Sequence, residues 1–147
     1  MTIDYIGKNL DDIPEDTKGE SATPAAHHLF DIAKDATKLS QADADLFDHF
    51  VAQILYLSKR ARPDIQLSVS FLCTRLRGPD NDDYNNLARV MKYIKGTINL
   101  PLILSIDNSG NITWYVGASF AVHKDMRNHT GGFMTMGTVG NYVQSSK

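Results

Sequence analysis

The stretch Phe47 to Arg77, FDHFVAQILYLSKRARPDIQLSVSFLCTRLR, decides how the rest of the chain is read. Its apolar residues recur at Phe47, Phe50, Ile54 and Leu57, and again at Ile65, Val69, Leu72 and Leu76. These are the three- and four-residue steps of two helices that each bury one face. Pro63 separates the two runs. A proline has no N–H to donate and biases the preceding residue toward extended geometry, so Arg62 is expected to end the joint and Pro63 to open the second helix. Asp64 then falls in the first turn, where the helix dipole favours a carboxylate. Three cations, Lys59, Arg60 and Arg62, crowd the corner.

Downstream, Gly78-Pro79-Asp80-Asn81 reads as a turn, after which Asp82 or Asp83 can cap a third helix. Tyr84, Leu87, Met91 and Ile94 form its buried seam, Arg89, Lys92 and Lys95 share much of the opposite surface, and Gly96 ends it. From Leu100 the period changes to two. LPLILSI and ITWYV flank the turn-rich Asp107 to Asn111 and read as a hairpin, while GGFMTMG and NYVQSS read as a second strand pair. Between the pairs lies the loop VHKDMRNHT, with His123, Lys124, Arg127 and His129. The aromatics Tyr56, Tyr84 and Tyr93 fall near helix seams, and Trp114 and Phe120 fit packing in the sheet. Hydrolytic triads have no Asp in register with a Ser/His pair.

Upstream, residues 1–12 can form a short helix, and 13–26 read as a linker rich in helix breakers and poor in anything to bury. His27 and His28 are adjacent, but no further Cys or His stands at a spacing useful to zinc, so no metal is expected. Residues 31–42 connect to the central helix, whose start is marked by Asp43 and Asp45. The expected organisation is an acidic segment and linker over 1–42, a helical unit over 43–99, and a sheet over 100–147.

The 147 residues suffice for one ordinary domain or for two incomplete pieces of a larger protein. No apolar run is long enough to cross a bilayer and no secretory signal is visible, so an intracellular chain without a transmembrane segment is expected. Cys73, alone in the sequence, is read as a buried thiol on the apolar side of its helix. The net charge of −2 conceals an asymmetry. Residues 1–48 hold 4 cations and 11 anions, residues 49–99 hold 8 and 4, and residues 100–147 hold 3 and 2. The basic middle third is compatible with a nucleic-acid partner, and equally with solvated helix faces.

Four motifs, in order, carry a resemblance. They are Arg62-Pro63-Asp64-Ile65 after a Tyr-Leu helix end, LARVMKYIKGT from Leu87 to Thr97, YVGASFA from Tyr115 to Ala121, and His129-Thr130-Gly131-Gly132 with Gly137. Together they resemble the polyprotein of copia-type LTR retrotransposons, over the run from the end of its reverse transcriptase into the start of its ribonuclease H. The resemblance covers roughly residues 20–147. It implies an α+β fragment: a small helical connection unit followed by the first antiparallel strands of an incomplete ribonuclease H-like fold. Such a sheet would expose an apolar face and an unpaired edge, a route to self-association.

The resemblance also implies what is missing. The family's polymerase carboxylates lie in a tyrosine-x-aspartate-aspartate hairpin that this chain does not contain, and Asp11-Asp12 and Asp82-Asp83 are explained by solvation and capping. The family's nuclease uses two Mg²⁺ ions held by carboxylates. Its first ligand aspartate matches the position of Gly117, and residues 100–147 contain only Asp107 and Asp125, in a turn and a loop. Gly117 is read as the mark of a degenerated copy, or else of a bulge or close backbone contact. No catalytic residue, metal site or bound cofactor is therefore expected, whereas the parent family is an RNA-directed DNA polymerase and ribonuclease H.

Weak binding of an RNA/DNA hybrid or other nucleic acid remains open to Lys59, Arg60, Arg62, Arg89, Lys92 and Lys95, with Arg75 and Arg77 in the same segment. Arg62 has a competing role as a structural ion pair with Asp64. The alternatives are a helix-mediated interaction module, a translated relic without function, or an enzyme completed by carboxylates from another chain.

Overall fold

A computed structural model describes residues 19–32 and 35–147. The short helix expected over 1–12, the pair Asp11-Asp12 and the first part of the expected linker lie outside these residues. The order is α1 (Gln41–Arg60), a 3-10 turn (Pro63–Ile65), α2 (Gln66–Cys73), α3 (Asn81–Gly96), β1 (Thr113–Ser119), β2 (His129–Thr135) and β3 (Gly140–Ser146). The class is α+β, with three α-helices and one three-stranded antiparallel sheet among the described residues.

The helices form because their apolar steps meet. Phe47, Phe50, Val51, Ile54 and Leu57 of α1 close on Ile65, Val69 and Leu72 and on Leu87, Val90, Met91 and Ile94 of α3. Local chemistry sets the ends. Ser40 caps α1 by accepting from the Asp43 amide. Proline opens a single 3-10 turn rather than an α-helix, and regular i to i−4 bonding starts only at Gln66. The cap of α3 is Asp80, not Asp82 or Asp83: Asp80 accepts from the Asp83 amide while the Asp83 carboxylate accepts from the Asp80 amide. Arg75 holds the same corner, with Nη2 3.0 Å from Asp80 and Nε 2.8 Å from Asp83. Burial pushes the Asp83 carboxyl up, opposed chiefly by its hydrogen bond from Arg75.

Within the described residues, the stretch read as a loose linker is anchored. The Ser68 hydroxyl donates to the Pro24 carbonyl at 3.0 Å, Arg89 donates to the Thr23 carbonyl and hydroxyl, and Leu29 is buried. Lone polar side chains of the helices donate to oxygens of this stretch, which a pattern of apolar residues cannot reveal. Leu76, expected on the buried seam, is exposed because α2 ends at Cys73. Cys73 is half-buried, and burial raises its thiol pKa.

The sheet differs from the expected two hairpins. LPLILSI is not a strand; it makes one isolated parallel bridge, Ile106 to Met136. Instead β1 pairs with β2 over seven consecutive positions, from Thr113 opposite Thr135 to Ser119 opposite His129, and β2 pairs with β3. Pro101 withholds a donor from any ladder along 100–106, and β2 offers β1 an unbroken partner. The pairing of GGFMTMG with NYVQSS is as expected. Gly140 lies against the Phe133 ring, which a Cβ there would displace. The sheet meets the helices along β3, where the Ser70 hydroxyl of α2 donates to the Ser145 carbonyl at 2.9 Å.

Candidate nucleic-acid interface and the face around Gly117

The structure sorts the basic residues by what holds them. Arg62 turns inward and is 3% exposed. Its Nη2 lies 2.8 Å from the Asp64 carboxylate and 2.6 Å from the Thr97 hydroxyl, its Nη1 donates to the Thr97 carbonyl at 3.1 Å, and its guanidinium stacks over Tyr93. Burial would raise the Asp64 pKa, but Arg62, by hydrogen bond and by charge, brings it below the ordinary carboxylate value. Arg62 therefore ties the joint to the end of α3 and is withdrawn from the surface. Arg75 is likewise committed to Asp80 and Asp83, and Arg89 is partly committed to Thr23.

Lys59 and Arg60 are exposed in the last turn of α1, and Lys95 is exposed and Lys92 half-exposed on α3. Arg77 is exposed after α2. These ends and faces are where a phosphate backbone could reach. Two aromatic assignments change here. Tyr56 is more than half exposed, with the Arg60 guanidinium 5.8 Å from its ring centroid. Trp114 and Phe120 are also exposed, Phe120 at 85%. Both lie on or beside a strand whose faces the helices do not cover, so their apolar character gave no guide to burial.

Gly117 stands mid-strand in β1, opposite Gly131 of β2, which is itself opposite Ser145 of β3. The register is continuous through it, and a Cβ at Gly117 would meet nothing within 4 Å. Neither a bulge nor a close backbone contact requires glycine at this position. Its face borders a groove of about 410 Å³ lined also by Pro63, Leu67, Tyr115, Phe133 and Val143. Among the described residues the carboxylate lining that groove is Asp64, already engaged by Arg62. Asp107 accepts from Ser109 in its turn, and Asp125 pairs with Lys147 at 2.9 Å. Among the described residues the donor set for two Mg²⁺ ions is not assembled here, so these residues do not fit the metal pair that the resemblance implies. Among the described residues no group of three or more His, Cys, Asp or Glu converges.

One polar cluster went unrecognised in the sequence. His123 and His129, read as loop residues, are both buried. His123 Nε2 lies 3.0 Å from His129 Nδ1, and His129 Nε2 lies 2.6 Å from the Ser145 hydroxyl. Phe30 and Phe71 wall the pair, Phe30 edge-on to His123 and Phe71 stacked on it. Burial lowers both imidazole pKa values; Lys147 adds to this at His123 against Asp125, and His123 adds to it at His129. The spacing H-x5-H across a loop gave no periodic signal, which is why only the fold brings the rings together. No helix among the described residues is long and apolar enough to cross a membrane.

Comparison with known proteins gives two relatives. The chain is 32% identical over 93 residues to an uncharacterized mitochondrial protein of Arabidopsis thaliana, covering 63% of this chain and 38% of the relative. It is 28% identical over 146 residues to a Saccharomyces cerevisiae protein named for transposon Ty5-1, covering 98% of this chain and 46% of the relative. The chain thus spans less than half the length of either relative. No family model matches it, and no solved structure matches it significantly.

Proposed function

We propose that this chain is a catalytically inactive remnant of a copia-type retrotransposon polyprotein, drawn from the region joining reverse transcriptase to ribonuclease H. Its residual capacity is weak binding of nucleic acid through the exposed cations of the helical unit. The observation that carries the parentage is the match along 98% of the chain to a protein named for a transposon. Gly117 supports the loss of cleavage. It occupies the position the resemblance gives to the first metal-ligand aspartate, and among the described residues its face offers no uncommitted carboxylate in its place. Removing even one ligand from such a site costs several kcal/mol of transition-state stabilisation, each ~1.4 kcal/mol being tenfold in rate.

Binding needs less geometry than cleavage. Lys59, Arg60, Lys92 and Lys95 reach solvent and can meet phosphates as point charges, whereas Arg62 and Arg75 contribute to the fold. With about four phosphate contacts, log K against log salt should fall with a slope of roughly −3 to −4. The test is titration of an RNA/DNA hybrid at several salt concentrations, beside a cleavage assay in Mg²⁺. The expected result is salt-sensitive binding, weakened by Lys92→Glu with Lys95→Glu, and no cleavage. Unaided cleavage by nuclease-free material would overturn the inactivity. Binding at background would leave the chain a relic or a helix-mediated interaction module.

A further inference from the structure

We propose that two copies of this chain pair through β1, antiparallel and about a two-fold axis at Val116, to form one continuous six-stranded sheet. Among the described residues the strand order β1-β2-β3 leaves β1 at an edge, and all seven of its residues are exposed, Val116 at 81%. The devices that normally keep an edge from pairing are missing. From Asn108 to Val122 the sequence contains no charged residue and no proline, and β1 pairs with β2 without a bulge. The other edge, β3, is treated differently. It is bonded to α2 through Ser70 and is followed by Lys147, whose ammonium pairs with Asp125.

The occupant follows from the side chains. An antiparallel register centred on Val116 sets Tyr115 of one copy opposite Gly117 of the other and Trp114 opposite Ala118, so each large ring lies beside a small residue. Gly117 already faces Gly131, and this pair leaves a strip without side chains on the floor of the groove bounded by Leu67, Tyr115 and Phe133. A tyrosine ring from the second copy fills such a strip, as aromatic residues do opposite glycine in paired strands. Gly117, which no neighbour among the described residues requires, acquires a use in this register. The helices leave the edge itself open: α2 packs on β3, its Leu67 borders the groove on the Tyr115 side, and every residue of β1 remains exposed. The contact is isologous, so it closes at two copies.

Sedimentation equilibrium of the full chain over a wide concentration range tests this pairing and does not depend on nucleic-acid binding. The expected result is a monomer–dimer equilibrium. Val116→Lys places two ammonium groups opposite each other at the axis and should weaken the dimer by at least about tenfold, with far-UV circular dichroism unchanged. In a Cys73→Ser background, Val116→Cys should form an intermolecular disulfide far more readily than Ala118→Cys, which faces Trp114. A strictly monomeric chain, an open-ended series of oligomers, a dimer indifferent to Val116→Lys, or equal crosslinking at both positions would overturn the proposal.

Discussion

The helical unit and the sheet of this protein are built from similarly apolar sequence, yet they bury it differently. Twelve apolar side chains of α1, the Pro63 turn, α2 and α3 are buried in one cluster. From Leu100 to Lys147 the buried residues are His123, His129 and Thr135, all polar, while Ile103, Leu104, Ile106, Trp114, Tyr115 and Val116 remain largely exposed. The helices close on each other, so each stripe finds a partner stripe. A sheet of three strands has two faces, and the helices cover part of one, along β3. The lesson is that buried apolar surface is concentrated in the helices, while the sheet meets them through the Ser70–Ser145 hydrogen bond and the His123–His129 cluster, on which Phe71 of α2 stacks.

The sharpest way to test that contrast is a pair of truncations. Phe47→Ala, at a fully buried position, should cost about 3–5 kcal/mol and abolish the cooperative melt followed by far-UV circular dichroism. Val116→Ala, although also apolar, should change stability by no more than ~0.5 kcal/mol in dilute solution. Equal effects would erase the distinction between the two regions.

Next comes the joint. Arg62→Ala removes the buried partner of Asp64 and Thr97 and should cost roughly 1–3 kcal/mol in denaturant unfolding. It should leave the salt slope of nucleic-acid binding unchanged. A shallower slope would return Arg62 to the surface.

The attachment of the sheet should respond to acid. His123 and His129 have pKa values lowered in the folded state, so the unfolded chain binds more protons than the folded one as pH falls through about 6.5. Their contribution is fully present above that value and is lost progressively below it, toward the lowered folded values. Trp114, the single tryptophan, reports the sheet by fluorescence, and its transition should weaken with acid before the helical signal does. His129→Gln should flatten this dependence; an unchanged profile would remove the histidine pair from the attachment.

The smallest effect is expected at Gly117. A side chain there enters open space on regular strand backbone, so Gly117→Asp should shift stability by ~0.5 kcal/mol or less in the monomer and should not by itself create cleavage, because among the described residues no second carboxylate is free on that face. A large loss of monomer stability would mean that the strand does require glycine.

The helical unit was legible because its information is local and periodic. The steps from Phe47 to Leu57 and from Leu87 to Ile94, the break at Pro63 and the end at Gly96 each follow from backbone geometry and burial of one face. Alternation likewise marked β1, β2 and β3 as extended. The sequence on its own could not decide which strands pair. LPLILSI alternates no worse than TWYVGAS, but register depends on contacts between distant residues, and β2 is the partner that β1 finds. Nor could it separate Arg62 from Lys92, equal in charge. One guanidinium turns inward onto Asp64 and Thr97, and the other cation lies on the outer side of α3. Local propensity thus fixed the elements, whereas tertiary contacts chose the strand partners, brought His123 and His129 together, and determined which charges are left for a ligand. Those choices are made between segments far apart in the chain, where no residue pattern within one segment can register them.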